Sequence, residues 1–229
     1  DRYDDALYLA DNVRGFNGSK STILNYKKQA ATEWMGECLD VAQKKENAAA
    51  LALENGDLKN YISKLETTYN RIIRAARLAN EYELSTSHDF ETWKLAVKQK
   101  IFEQSTAFAK QIIRKKEWDN ALYYSRLAYN RSTEVQEKEA YALFRQVQHE
   151  RYLIYVDKAQ KEPNNNLSIK IYQQAQRLES DFKFTGKEQP EDIALSIKNR
   201  AKKEVLTEAV KFLKSKNNAS IKSAKERMM

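Results

Sequence analysis

The side chains best suited to chemistry in this sequence are cations. Arg71, Arg74 and Arg77 recur at every third position, and Lys110, Arg114, Lys115 and Lys116 crowd one short stretch. Guanidinium and ammonium groups hold carboxylates and phosphates, the guanidinium through two parallel hydrogen bonds. The bland alternative is a solvated face, because like charges along a helix commonly stay in water. Both readings describe contact with a partner and neither describes turnover.

Groups that could turn over a substrate are sparse. His88 and His149 are the only histidines, and neither has a second histidine or cysteine at i+3 or i+4. Metal sites on helices use that spacing, so both are expected to be surface histidines. Cys38 is the single cysteine, which excludes an intrachain disulfide and a cysteine-based zinc site. Its neighbours Trp34, Leu39, Val41 and Ala42 are apolar at helical spacing, so a buried structural thiol is expected. Asp4-Asp5 and Glu191-Asp192 fall at helix starts, where the macrodipole accounts for them. No glycine-rich phosphate loop, nucleophile elbow or HExxH pattern occurs. The expectation is a protein that is not an enzyme and uses no cofactor or metal.

Elements that position the cations follow from composition and periodicity. A chain of 229 residues can bury a sizeable core, and 41% hydrophobic with 31% charged residues is globular composition. Five glycines and two prolines leave little material for tight turns, which favours long helices. The net charge of +8 suits an acidic partner or a nucleic acid. No apolar run reaches the ~20 residues that span a bilayer. The sequons at Asn17, Asn130, Asn166 and Asn218 are expected as chance matches in an Asn- and Ser-rich chain.

Apolar stripes at three- and four-residue spacing predict helices over 3–13, 22–45, 58–82, 90–114, 118–130, 133–160 and 167–179. Residues 47–55 are alanine- and leucine-rich, and Gly56 has the position of a helix C-cap. Breaks are expected at Gly15 and Gly18 (with Ser19 or Ser21 as the next cap), at Pro163 with three asparagines, and around Gly186. Pro190 opens a last core helix through Ile193, Ile197, Ala201, Val205, Ala209, Phe212 and Leu213. The tyrosines fall mainly on the apolar stripes, which suits core packing with a polar tip. The fold class expected is all-α, with about eight or nine helices in stacked antiparallel hairpins or a bundle. One domain over 1–214 and a basic, fraying terminal helix over 215–229 complete the organisation.

The segment from Ser105 to Asn130 carries a resemblance. Phe108, Ile112 and Ile113 mark one helix face, and Ala121, Ser125 and Ala128 let a second helix approach closely behind Trp118. With Trp118-Asp119-Asn120-Ala121 opening the second helix, it resembles the helix-turn-helix unit of tetratricopeptide repeats. Similar small-residue signatures near Ala6, Tyr61, Trp93 and Ser168 are irregularly spaced, so the array is loose. The order of Ala30-Ala31-Thr32-Glu33-Trp34, Arg71-Ile72-Ile73-Arg74-Ala75-Ala76, Lys116-Glu117-Trp118-Asp119-Asn120-Ala121 and Glu150-Arg151-Tyr152 is also similar to the sixty-eight-kilodalton signal recognition particle subunit family. That covers about half of the chain. A dense arginine cluster in the first helices is missing, and 160–229 has no counterpart.

Two functions are expected from different classes. The first is a helical-repeat scaffold whose basic surface holds a protein or peptide, acidic by charge complementarity. The second, implied by the signal recognition particle resemblance, is RNA binding with Arg71 and Arg74 against phosphates. The cytoplasm is the expected compartment. A third reading, a surface or periplasmic lipoprotein repeat domain after signal removal, rests on the chain starting at Asp1 without Met.

Overall fold

A computed structural model describes Tyr3, Asp5, Leu7, Tyr8 and residues 20–184 and 191–226. The expected breaks at Gly15 and Gly18, the Ser19 cap, the Ala6 signature, the loop at Gly186 and Pro190 lie outside the described residues. Within them the chain is all-helical. Seven helices are defined: α1 (Lys20–Glu54), α2 (Leu58–Glu81), α3 (Phe90–Arg114), α4 (Trp118–Arg131), α5 (Glu134–Lys161), α6 (Asn165–Phe182) and α7 (Glu191–Glu226). The alanine-rich stretch 47–55 continues α1 without a break, and α7 runs through residues 214 and 215 as one helix. Seven is the number for the described residues; the expected helix over 3–13 lies largely outside them. The chain divides into two units, residues 1–144 and 145–229, with the boundary inside α5.

In the first unit α1 presents small residues at a heptad-like spacing. Ala31, Met35, Cys38, Ala42, Ala49 and Ala52 are buried, separated by four, three, four, seven and three positions. Opposite them α2 supplies large side chains: Ile62, Leu65, Ile72 and Leu78 are buried. Small against large lets the two backbones come close, the packing logic of an antiparallel coiled coil. The Thr68 hydroxyl confirms the closeness by donating to the Ala42 carbonyl at 3.3 Å, across the interface. Arg74 lies over Trp34, and the sum of paired residue numbers stays near constant, as antiparallel packing demands.

The corner between α1 and α2 is a Schellman motif. Asp57 N–H reaches the Ala52 carbonyl and Gly56 N–H the Leu53 carbonyl, with Gly56 at φ 72°. The same motif closes α2 and α3, with Glu83 (φ 50°) and Lys116 (φ 60°) in the left-handed position. Only Gly56 was legible as such a corner, because a Cβ makes this conformation costly and the sequence offers no flag for Glu83 or Lys116. The following helices start on side-chain caps: Asp57 accepts from the Asn60 N–H, and Asp89 from the N–H and hydroxyl of Thr92. The Thr92 hydrogen bonds hold the Asp89 carboxyl below its usual range.

Each helix of the first unit also touches the next but one. Glu46 of α1 accepts from Trp93 Nε1 and Lys100 of α3, both at 3.0 Å. Glu66 of α2 takes both Nε and Nη2 of Arg131 from α4, and that guanidinium covers the Tyr69 ring. Gln136 of α5 donates to Gln99 of α3. Between α3 and α4 the small residues Ala121, Ser125 and Ala128 are fully buried, as their spacing predicts. Phe108 meets Tyr124 edge-on at 4.7 Å. Burial raises the phenol pKa values of Tyr61 and Tyr124, consistent with tyrosines as core residues.

The second unit is held by arginines at helix ends. Arg145 donates to the carbonyls of Phe182 and Lys183 and lies over the Phe184 ring. Arg200 of α7 donates to the Ala159 and Gln160 carbonyls at the end of α5 and to the Ser168 hydroxyl of α6. Tyr152, Val156, Ala159, Tyr172, Ala175, Phe184 and Ile197 form the core. His149 is half-buried, stacked on Tyr152 and edge-on to Phe184, which corrects its reading as a surface histidine. His88 is exposed.

The expected core of the last helix is the largest correction. Ile197 is buried, but Val205, Phe212 and Leu213 are each about 60% or more exposed. Geometry explains it. Arg200 already reaches Ser168 at the start of α6, so the later turns of α7 extend past the helix they pack on. Val135, read as a stripe residue of α5, is likewise exposed.

Two outcomes test these packing statements. Ala42→Leu should overfill the α1–α2 seam and lower unfolding free energy in urea by about 2 kcal/mol; a change under about 0.5 kcal/mol would contradict the close approach. Lys116→Gly should raise stability by about 1 kcal/mol by relieving the left-handed backbone, read by calorimetry, whereas Lys116→Val should lower it.

Candidate functional site

The arginines of α2 do not share one environment. Arg71 is half-buried and hydrogen-bonds Cys38. Burial raises the Cys38 thiol pKa, and the hydrogen bond and charge of Arg71 oppose that without reversing it. Cys38 is therefore a buried, protonated thiol. Arg74 is half-buried with its guanidinium carbon 4.3 Å from the Trp34 ring centroid. Arg77 is exposed and pairs with Glu81 one turn on, at 3.4 Å. A solvated face thus describes Arg77, whereas Arg71 and Arg74 are half-buried. Residues three apart rotate by about 60° less than a full turn, so a row of three curls toward the seam.

Lys110, Arg114, Lys115 and Lys116 are all exposed around the α3–α4 corner. Lys110 pairs with Glu139 of α5 at 2.9 Å. Arg114 sits in the last turn of α3, where a cation meets the carbonyl end of the helix dipole. Lys115 caps that helix, and Lys116 occupies its left-handed position. Local helix-end electrostatics accounts for their placement.

Arg74 and Arg77 open onto a cleft of about 560 Å³. Leu7 and Tyr8 form one wall, Trp34 of α1 another, and Ile73, Leu78 and Tyr82 of α2 the base. Asn70, Arg74, Arg77 and Glu81 supply the polar groups. The Tyr3 ring stacks on Trp34 at 5.8 Å between centroids. A volume of this size holds one or two side chains, and the exposed lining is more polar than apolar. Two guanidiniums against one carboxylate leave it a positive charge. It can take a carboxylate or phosphate on the arginines and an apolar or aromatic group against the more exposed Tyr8, Ile73 and Tyr82.

Sequence reasoning brought Arg74 and Arg77 to this site and missed Trp34, Tyr8, Ile73 and Tyr82. Trp34 is itself buried, in one core cluster with Ala31, Met35, Cys38 and Leu78. Among the described residues no group of three His, Cys, Asp or Glu side chains could hold a metal ion, and no helix is long and apolar enough to cross a membrane. Comparison with protein-family models, curated proteins and solved structures finds no match.

Proposed function

We propose that this chain is a non-catalytic helical scaffold that holds an acidic protein or peptide segment, with the α1–α2 cleft as its contact site. The observation that carries the reading is that Arg74 and Arg77 line one cleft with the exposed apolar surface of Tyr8, Ile73 and Tyr82. A peptide that places a carboxylate beside an aromatic or leucine side chain complements both parts. The net charge of +8 favours such a partner at long range. Contacts from each helix to the next but one in the first unit support stacked hairpins, an irregular tetratricopeptide-like array, over a simple bundle. The inward turn of Arg71 and Arg74 favours a peptide over an RNA backbone, since phosphate contacts need outward-facing cations in a row.

Fluorescence titration of the full chain with a labelled peptide of glutamates flanking one phenylalanine tests the proposal. Arg77→Glu should weaken binding at least tenfold, with thermal stability changed by less than about 0.5 kcal/mol because the Arg77–Glu81 pair is exposed. Unchanged affinity would refute the cleft as the site. Tight binding of a structured RNA that collapses with rising salt, and is abolished by Arg71→Glu with Arg74→Glu, would favour the RNA reading instead.

A further inference from the structure

The exposed half of α7 carries apolar side chains that the described residues leave largely uncovered. Leu195, Val205, Leu206, Val210, Phe212 and Leu213 are each 48–66% exposed. Scattered apolar residues on a surface need no explanation, but six within five turns of one helix form a patch of the kind that marks an interface. The buried residue Ile197 lies nine positions before Leu206, a rotation of about 180° at 3.6 residues per turn. Leu206, with Leu195, Val210 and Leu213, therefore faces away from the side of α7 that Ile197 buries, whereas Val205 and Phe212 lie within about 80° of Ile197. Leu206, Val210 and Leu213 follow i, i+4, i+7, the register at which one helix reads another.

Beside this face is a groove of about 960 Å³, where Ile169 and the Asn164 and Asn166 positions of α6 meet Leu195, Val205 and Leu206 of α7. Its flanks are cationic. Between Leu195 and Lys216 the sequence has seven basic residues against two acidic ones. Lys198 and Lys202 border the groove together with Glu208, and Lys203, Lys211 and Lys214 border the next turns of the helix, so lysines outnumber the carboxylate.

We infer that this groove and stripe form a second docking site, separate from the α1–α2 cleft, for an acidic amphipathic helix. The partner lays an apolar i, i+3/i+4, i+7 row against Leu206, Val210 and Leu213, with its glutamates or aspartates against the lysines. A second copy of the chain fits poorly, since pairing α7 with itself sets lysine against lysine. A flat anionic bilayer would meet the lysines yet leave the concave part between α6 and α7 unfilled.

The test is a binding titration of the full chain with a synthetic 18-residue helical peptide bearing leucines in that register and glutamates elsewhere. A lysine version of the peptide, vesicles of phosphatidylserine and phosphatidylcholine, and sedimentation velocity of the protein alone run beside it. The glutamate peptide should bind and the lysine peptide should not. Leu206→Ser with Leu213→Ser should weaken binding at least tenfold, and Lys202→Glu with Lys214→Glu at least fivefold, all with unchanged helical circular dichroism. Arg77→Glu should leave this affinity unaltered, which separates the two sites. The inference is overturned by absent or variant-insensitive peptide binding. It is also overturned if the leucine pair instead governs vesicle binding or a concentration-dependent dimer.

Discussion

Everything in the first unit depends on how closely α1 and α2 approach. Alanine, cysteine and methionine along α1 leave room for the isoleucines and leucines of α2, and the two helices settle with the Thr68 hydroxyl on the Ala42 backbone. Burying this surface is the dominant favourable term, at roughly 25 cal/mol per Å² of apolar area removed from water. The small residues contribute little area themselves. What they contribute is shape, which lets dispersion contacts between the larger side chains form without gaps.

That approach also fixes the cleft. Trp34 is buried beside the small residues of α1, with Arg74 from the facing helix over its ring and Tyr3 stacked on it. The guanidinium is held by packing, so its orientation toward the cleft costs little extra ordering when a ligand arrives. The second unit uses a different device. Arg145 and Arg200 tie helix ends by charged hydrogen bonds to carbonyls of the last turns. Short packing between α6 and α7 then leaves the distal turns of α7 in solvent, with their leucines and lysines on display.

Much of the fold was readable in the residues because local rules agree with one another there. Gly56 at a helix C-cap and the stripes of α2, α3 and α4 place those helices within a residue or so of their observed ends. Other features depend on partners far along the chain and leave no local mark. Glu83 and Lys116 adopt glycine-like backbone because the flanking helices require a Schellman turn there. Val205, Phe212 and Leu213 carry the periodicity of a core helix, and periodicity cannot say whether a facing helix is long enough to cover them. Arg71 and Arg74 look like surface cations until the path of α1 is known. The cleft has the same character: its arginines were visible as a row, whereas its aromatic wall is assembled across two helices and an N-terminal segment.

The register of α1 on α2 is the quantity to measure. Methyl-selective labelling of alanine, threonine, isoleucine and leucine in the full chain, with nuclear Overhauser spectroscopy, reads it directly. The close seam predicts a cross-peak between the Ala42 and Thr68 methyl groups. An Ala42 methyl seen against Ile62 or Ala75 in place of Thr68, or against no residue of α2, would contradict it.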